Sequence, residues 1–187
     1  WTDRATCVLF GDGAGAVVLG PGEGVKAIHL TTQTDEDFVL YLTSPHGNCP
    51  YTASQLESMK GLRMMGQDVF RFAVSQSEKD LKAAAAKAGL DIAGLDFVLL
   101  HQANLRIIDA VQRRLGLPDS KLPSNIHRTG NSSAASIPLL MWEMYHAGLL
   151  RPGHLLALSA FGAGLTSGAC VLEWTKEAPE TTIPADD

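Results

Sequence analysis

His101 is the first residue to test for chemistry. The apolar run Phe97-Val98-Leu99-Leu100 delivers it to the carboxyl end of a buried strand, and Gln102-Ala103-Asn104 lead at once into a helix. Carboxyl ends of strands in open α/β sheets are where ligands bind. A core histidine with its hydrogen bonds satisfied is the plainer alternative. Gly130-Asn131, followed by Ser132-Ser133-Ala134-Ala135-Ser136, is a turn feeding a helix start. Asn131 or Ser132 could simply cap that helix, contributing ~1 kcal/mol. The run of small residues is more than a cap requires, and it lets a substrate approach an amide N–H of Asn131 closely. Phe161-Gly162-Ala163-Gly164 follows another strand and reads either as a tight hairpin turn or as a loop offering backbone N–H groups. Gly11-Asp12-Gly13-Ala14-Gly15 is not a nucleotide loop, because strand signals flank it on both sides and no helix follows.

The other chemistry-bearing residues fall away. His29, His46, His127, His146 and His154 show no i,i+4 pairing and no neighbouring ligand set, so no metal is expected. Three cysteines in no paired spacing argue against a disulfide scaffold or a zinc site and fit a reducing cytoplasm.

Positioning these residues requires alternating strands and helices. Ala5–Phe10 and Ala16–Leu19 read as a hairpin around the glycine-rich turn, Val25–Thr32 as a third strand and Ser44–Ser58 as a loop. Apolar residues recur at helical spacing from Met65 to Ala88, and Gly89 is a natural stop. Asp96–Leu100 is a buried strand, Leu105–Leu115 a helix closed by Gly116 and Pro118, and Ser132–Ala147 a helix that Pro138 should kink or loosen in its second turn. His154–Ala160 and Gly168–Trp174 finish as apolar strands. The pattern implies an α/β fold: one mixed five-stranded sheet with helices packed on it. Strands without clean alternation are buried on both faces. Three helices leave part of such a sheet for another domain or subunit.

The chain has 187 residues, 45% of them hydrophobic, enough for one domain burying about 70% of its unfolded surface. A net charge of −5 predicts no broad basic face for nucleic acid. Runs such as Phe97–Leu100 and Leu155–Leu158 are far short of a membrane span. The sequence opens on Trp1-Thr2-Asp3 without Met or a secretory segment and reads as a piece of something longer. Lys176–Asp187 reads as a flexible tail. No internal repeat and no low-complexity tract is found.

Four motifs, in order, carry a resemblance: Leu9-Phe10-Gly11-Asp12-Gly13-Ala14-Gly15-Ala16-Val17-Val18-Leu19, His101-Gln102-Ala103-Asn104-Leu105-Arg106-Ile107-Ile108, Gly130-Asn131-Ser132-Ser133-Ala134-Ala135-Ser136-Ile137-Pro138 and Ala160-Phe161-Gly162-Ala163-Gly164. Together they resemble the carboxy-terminal half of β-ketoacyl-[acyl-carrier-protein] synthase III, of the thiolase superfamily. The resemblance implies a thiolase-like half over residues 1–175, with the amino-terminal half and its nucleophilic cysteine absent from this chain. It implies decarboxylative condensation of an acyl-coenzyme A primer with malonyl-[acyl-carrier protein], starting fatty-acid synthesis, with no cofactor beyond the coenzyme A thioester as substrate. By the resemblance, His101 and Asn131 would be the His and the Asn of its catalytic Cys-His-Asn triad. Met64, Gly66, Gln67, Ala103, Asn104 and Phe161 would line the pantetheine tunnel, with Ala163 in the donor loop where the family usually has glycine. Arg71 and Arg106 would receive the acidic carrier protein, or are simply solvated helix charges. Expected partners are the amino-terminal half and a second copy in a homodimer, in the cytoplasm, with no nucleic acid and no membrane. Cys7 and Cys170 read as small core residues in strands, and Cys49 as a poor nucleophile in a Gly/Pro loop; the fragment alone is expected to be inactive. Thr34–Met59 does not match the family closely, so primer choice stays open. Alternatives are a related acyltransferase of secondary metabolism and a non-catalytic partner half-domain. A Ser-His hydrolase is remote, since no Gly-x-Ser-x-Gly elbow exists.

Overall fold

A computed structural model describes residues 4–34, 39–43 and 61–179. The elements, in chain order, are a short helix α1 (Arg4–Cys7), β1 (Val25–Thr32), β2 (Leu40–Thr43), β3 (Gly61–Met64), α2 (Gly66–Lys87), β4 (Phe97–Leu100), α3 (Leu105–Leu115), α4 (Ile126–Thr129), α5 (Ser136–His146), β5 (Leu155–Gly162) and β6 (Thr166–Glu173). The main sheet is mixed and runs β1-β6-β5-β4, with β4 parallel to β5 and the other pairs antiparallel. Separately, β2 and β3 form a two-stranded antiparallel ribbon that periodicity had not revealed.

Among the described residues the main sheet has four strands, not five. The expected amino-terminal hairpin is absent. Cys7 ends α1 instead of sitting in a strand, and residues 11–20 carry no regular secondary structure. Phe10 makes a single parallel bridge to Asn131. The glycines between serve close approach, not a turn. A Cβ on Gly13 would stand 2.9 Å from Leu139 Cδ1, and one on Gly15 2.6 Å from Pro138 Cβ. Val18, 96% exposed, ends up on the outside.

Burial on both faces holds where the site lies. Val98 and Leu100 of β4 join Ala73, Leu81, Ile107 and Val111 in one core, beneath α2 and α3. Leu99 and Leu156 join Leu140, Met141 and Met144 of α5 in a second core on the opposite face. Successive β4 residues therefore serve different cores, which is why that strand reads as a continuous apolar run. Toward β1 the cover ends: Leu30 is 74% exposed and Ile28 is also open.

The helices stop where chain chemistry dictates. Gly89 (φ 72) and Gly116 (φ 66) adopt the left-handed conformation beyond the ends of α2 and α3. The helix expected from Ser132 begins four residues later. A 3₁₀ turn occupies Ser133–Ala135, so α5 starts at Ser136 and Pro138 falls in its first turn, where a backbone N–H lacks an intrahelical partner anyway. The Ser44–Ser58 loop, Trp1–Asp3 and residues 180–187 of the tail lie outside the described residues. Within the tail's beginning, Trp174 Nε1 donates to the Lys176 carbonyl, and Lys176 Nζ lies 4.3 Å from the Tyr145 ring centroid. Among the described residues no helix is long and apolar enough to cross a membrane.

Asp80 is a fully buried carboxylate on the apolar face of α2. It accepts hydrogen bonds from Ser167 Oγ (2.6 Å), Gln76 Nε2 (2.9 Å) and Thr31 Oγ1 (3.1 Å), tying the helix to β6 and β1. Charge-assisted bonds of this kind contribute about 1.5–3 kcal/mol, and their loss strands buried donors. Asp80→Ala is therefore expected to destabilise the protein by about 3 kcal/mol. Urea unfolding checks this, and an unchanged midpoint would contradict the role.

Candidate active site

At the end of β4 the ladder continues for one more bond, from the His101 N–H to the Ser159 carbonyl (2.8 Å). That places the imidazole at the mouth of the sheet. Its Nδ1 lies 2.7 Å from Ser136 Oγ, at the start of α5. Phe161 meets the ring edge-on with centroids 5.5 Å apart, and Phe72 of α2 backs Phe161 at 6.4 Å. Nε2 has no hydrogen-bond partner among the described residues. Burial pushes the His101 pKa down to about 4, because an imidazolium there loses its hydration. The ring is neutral at pH 7.

Gln102 anchors this histidine. Its side chain is wholly buried: Nε2 donates to the Leu100 carbonyl (2.8 Å), and Oε1 accepts from Ser124 Oγ (2.8 Å) and the Asn125 N–H (3.2 Å). Sequence reading had not singled this residue out. The available signal was a polar residue directly beyond a buried strand, where a buried amide must find partners.

Asn131 is held by its backbone and aimed by its side chain. Its N–H donates to Leu9 O (2.9 Å), and its carbonyl accepts from the Gly11 N–H (3.1 Å). Oδ1 accepts the Ser133 N–H (2.9 Å), an Asx turn that directs the amide oxygen back to the chain. Ser133 is the one non-glycine residue at positive φ (55°) among those described. Strain of this sort is worth about 1–3 kcal/mol and collects at functional sites. The Asn131 NH₂ is left without a described partner. Five positions later, Ser136 holds His101. Asn131 thus lies five residues before α5 and His101 is hydrogen-bonded to its first residue, and the His101 Nε2 and the Asn131 NH₂ are each left without a described partner. Two such donors suit an oxygen on which negative charge develops.

The other candidates scatter more widely. Phe161 touches His101 directly. Ala103 packs on the core beneath α3, and Asn104 caps that helix, its Oδ1 accepting the Arg106 N–H (2.9 Å). Arg106 is exposed in the same first turn. Met64 closes β3, and Gly66 and Gln67 open α2 with Gln67 exposed. Arg71, also on α2, pairs with Asp68 (3.1 Å) in solvent. Ala163 is exposed in the β5–β6 turn. No hydrogen bond or ring contact among the described residues joins Met64, Gly66, Gln67 or Ala163 to His101. Cys170 sits in β6, where burial pushes its thiol pKa up against the opposing Leu158 backbone bond. It is therefore protonated and a weak nucleophile. Cys49 lies outside the described residues.

A pH effect follows from the buried ring. Unfolded histidine titrates near 6.5, whereas folded His101 titrates at about 4. Between those values only the unfolded chain takes up the proton, so His101 makes stability fall as pH drops from 6.5 to 4 and contributes no further change above or below. NMR titration of His101 is expected to give a midpoint near 4. A midpoint at the ordinary value would contradict the neutral ring.

Comparison with known proteins places the chain as a whole. The family model described as 3-oxoacyl-[acyl-carrier-protein] synthase III C terminal matches residues 85–174, which include His101, Asn131 and Phe161; its companion, 3-oxoacyl-[acyl-carrier-protein] synthase III, matches residues 1–36. The β-ketoacyl-[acyl-carrier-protein] synthase III of Thermosynechococcus vestitus is 41% identical over 179 residues, covering 93% of this chain and 54% of the relative. The crystal structure of 3-oxoacyl-[acyl-carrier-protein] synthase III from Aquifex aeolicus superposes with a TM-score of 0.79 at 37% identity, over 92% of this chain and 52% of that one. The priming β-ketosynthase from the R1128 polyketide biosynthetic pathway superposes with a TM-score of 0.81 at 32% identity, over 95% of this chain and 53% of that one. The chain spans about half the length of the curated relatives it matches. On sequence and thiolase-like fold together, it belongs to the β-ketoacyl-[acyl-carrier-protein] synthase III family.

Proposed function

We propose that this chain supplies the decarboxylation half of an acyltransferase that condenses an acyl-coenzyme A primer with malonyl-[acyl-carrier protein], the first step of fatty-acid synthesis. The observation that carries this reading is that the His101 Nε2 and the Asn131 NH₂ have no partner among the described residues, His101 being bound to the first residue of α5 and Asn131 preceding that helix by five residues. Loss of CO₂ from a malonyl thioester leaves the electron pair of the broken C–C bond on C2, delocalised onto the thioester oxygen. Two neutral N–H donors aimed at that oxygen stabilise the enolate. C2 then attacks the acyl carbonyl of a cysteine thioester, and the cysteine sulfur leaves as thiolate. In this proposal that cysteine belongs to the amino-terminal half of the enzyme, and residues 1–187 alone do not complete the reaction.

Met64, Gly66, Gln67, Ala103, Asn104, Phe161 and Ala163 are proposed to contact the pantetheine arm, with Arg71 and Arg106 receiving the carrier protein's acidic surface. The open apolar positions Ile28, Leu30 and Val18 are proposed to be covered by the amino-terminal half or by the second subunit of a homodimer. The proposed compartment is the cytoplasm. The test is to incubate the intact protein with acyl-coenzyme A and malonyl-[acyl-carrier protein]. A β-ketoacyl product with release of CO₂ is expected; primer acylation without condensation would overturn the reading. That second outcome would favour a related acyltransferase of secondary metabolism, which the likeness to the R1128 priming ketosynthase keeps in view.

A further inference from the structure

The hydroxyl of Ser136 stands between two groups. It is 3.2 Å from the backbone nitrogen of Gln102 and 2.7 Å from Nδ1 of His101, and Ser136 itself is buried. A backbone N–H can only donate, so the Gln102 bond uses one lone pair on Oγ. The serine proton must then find an acceptor, and the only other described partner of Oγ is His101 Nδ1. Were Nδ1 protonated, two donors would converge on Oγ and the proton of the buried serine would have no acceptor among the described residues. The arrangement that satisfies every group runs Gln102 N–H to Ser136 Oγ, then Ser136 O–H to His101 Nδ1. A neutral imidazole carries one proton, so that proton sits on Nε2, the nitrogen without a described partner.

We propose that Ser136 is a positioning residue that locks His101 in the Nε2–H tautomer, using the Gln102 backbone N–H to orient its own hydroxyl. The order of bonds matters: a hydroxyl alone can donate or accept, but one already receiving a backbone N–H is biased to donate. Ser136 is also the first residue of α5, so the same helix start that follows Asn131 sets the proton on His101. The catalytic consequence rests on the enolate-stabilising role proposed above; the tautomer does not.

The test uses the full-length protein with ¹⁵N-labelled histidine, His101 being assigned by the signal lost in His101→Ala. Long-range ¹H–¹⁵N correlation at pH 7 reads the tautomer directly and needs no substrate. The parent protein is expected to show a protonated Nε2 and an unprotonated Nδ1 displaced toward the hydrogen-bonded position. A protonated Nδ1 in the parent overturns the inference without any variant. Ser136→Ala is expected to give a mixture of tautomers, whereas Ser136→Thr, which keeps the hydroxyl, keeps Nε2–H. A pure Nε2–H ring in Ser136→Ala also overturns the positioning role. In kinetics, Ser136→Ala should lower the kcat of malonyl decarboxylation in proportion to the fraction of His101 rings that lose Nε2–H, with loss of a whole donor (about 10²–10³-fold) as the ceiling. The KM and primer acylation should stay near parent values, which a merely loosened fold would not spare. A changed tautomer with unchanged decarboxylation would uphold the Ser136 assignment and sink the enolate reading instead.

Discussion

His101→Ala and Asn131→Ala, made separately in the intact protein, are expected to lower malonyl decarboxylation by about 10²–10³-fold each while the acyl primer still loads. The magnitude is that of removing one preorganised donor from a developing oxyanion. Each side chain has one group engaged in holding it and one left over: Nδ1 is held by Ser136 and the amide oxygen by Ser133. Because both donors are assigned to one oxygen, the double variant should lose less than the product of the two single losses. Asn131→Asp sharpens the test. Its carboxylate can still accept the Ser133 N–H, so the turn survives, but a negative charge replaces the donor and faces the enolate. It should be at least as slow as Asn131→Ala. Decarboxylation assayed apart from primer acylation checks all four variants, and retained decarboxylation in both alanine variants would refute the assigned roles.

The second large effect is expected from a residue with no chemistry of its own. A Cβ on Gly11 would fall on the carbonyl oxygen of Thr129 and 3.1 Å from its carbonyl carbon. Neither side can yield cheaply. Leu9 and Gly11 are hydrogen-bonded to the Asn131 backbone from one side, and Thr129 belongs to α4, whose last turn leads into Gly130 (φ 61) on the other. Gly11→Ala is therefore expected to cost about 1–3 kcal/mol, as overpacking does, and to move Asn131 with it. Activity should fall more than stability explains, since sub-ångström misplacement of a donor weakens its bond to the enolate. Gly94→Ala, where an added Cβ meets nothing within 4 Å, is the control and should be near neutral. Denaturant midpoints and decarboxylation rates of the two variants, compared side by side, decide the matter. Equal behaviour would mean that the glycine run is not needed for contact.

The glycine run shows where sequence reading ran short. Apolar flanks around Gly11-Asp12-Gly13-Ala14-Gly15 suggested a hairpin, because alternation and glycine are local signs of strand and turn. Those flanks instead lead into a segment lying across Thr129, Ser132 and Pro138, more than a hundred residues away. The β2–β3 ribbon escaped notice for a related reason: four-residue strands that mix polar and apolar residues, unlike the all-apolar β4, carry too little pattern to stand out. By contrast, α2, α3, β1 and β4 lie within two residues of their expected bounds. In α2, α3 and β1 the apolar residues repeat with the period of the element itself, β4 stands out as a continuous apolar run, and left-handed glycines mark the ends of the two helices.

The site divides along the same line. The types of residue, a histidine closing a buried strand and an asparagine before a run of small residues, were legible in order and spacing. Which nitrogen of His101 is free, and which atom of Asn131 faces back to the chain, were not. Those facts depend on Ser136 meeting a ring 35 positions earlier and on Ser133 accepting a strained φ. Periodicity reports what neighbours in the chain can do together, whereas a buried proton is placed by whichever donor or acceptor the fold sets opposite it. The amino acids thus determined which groups this protein brings to its reaction, and only their packing decided which way each one points.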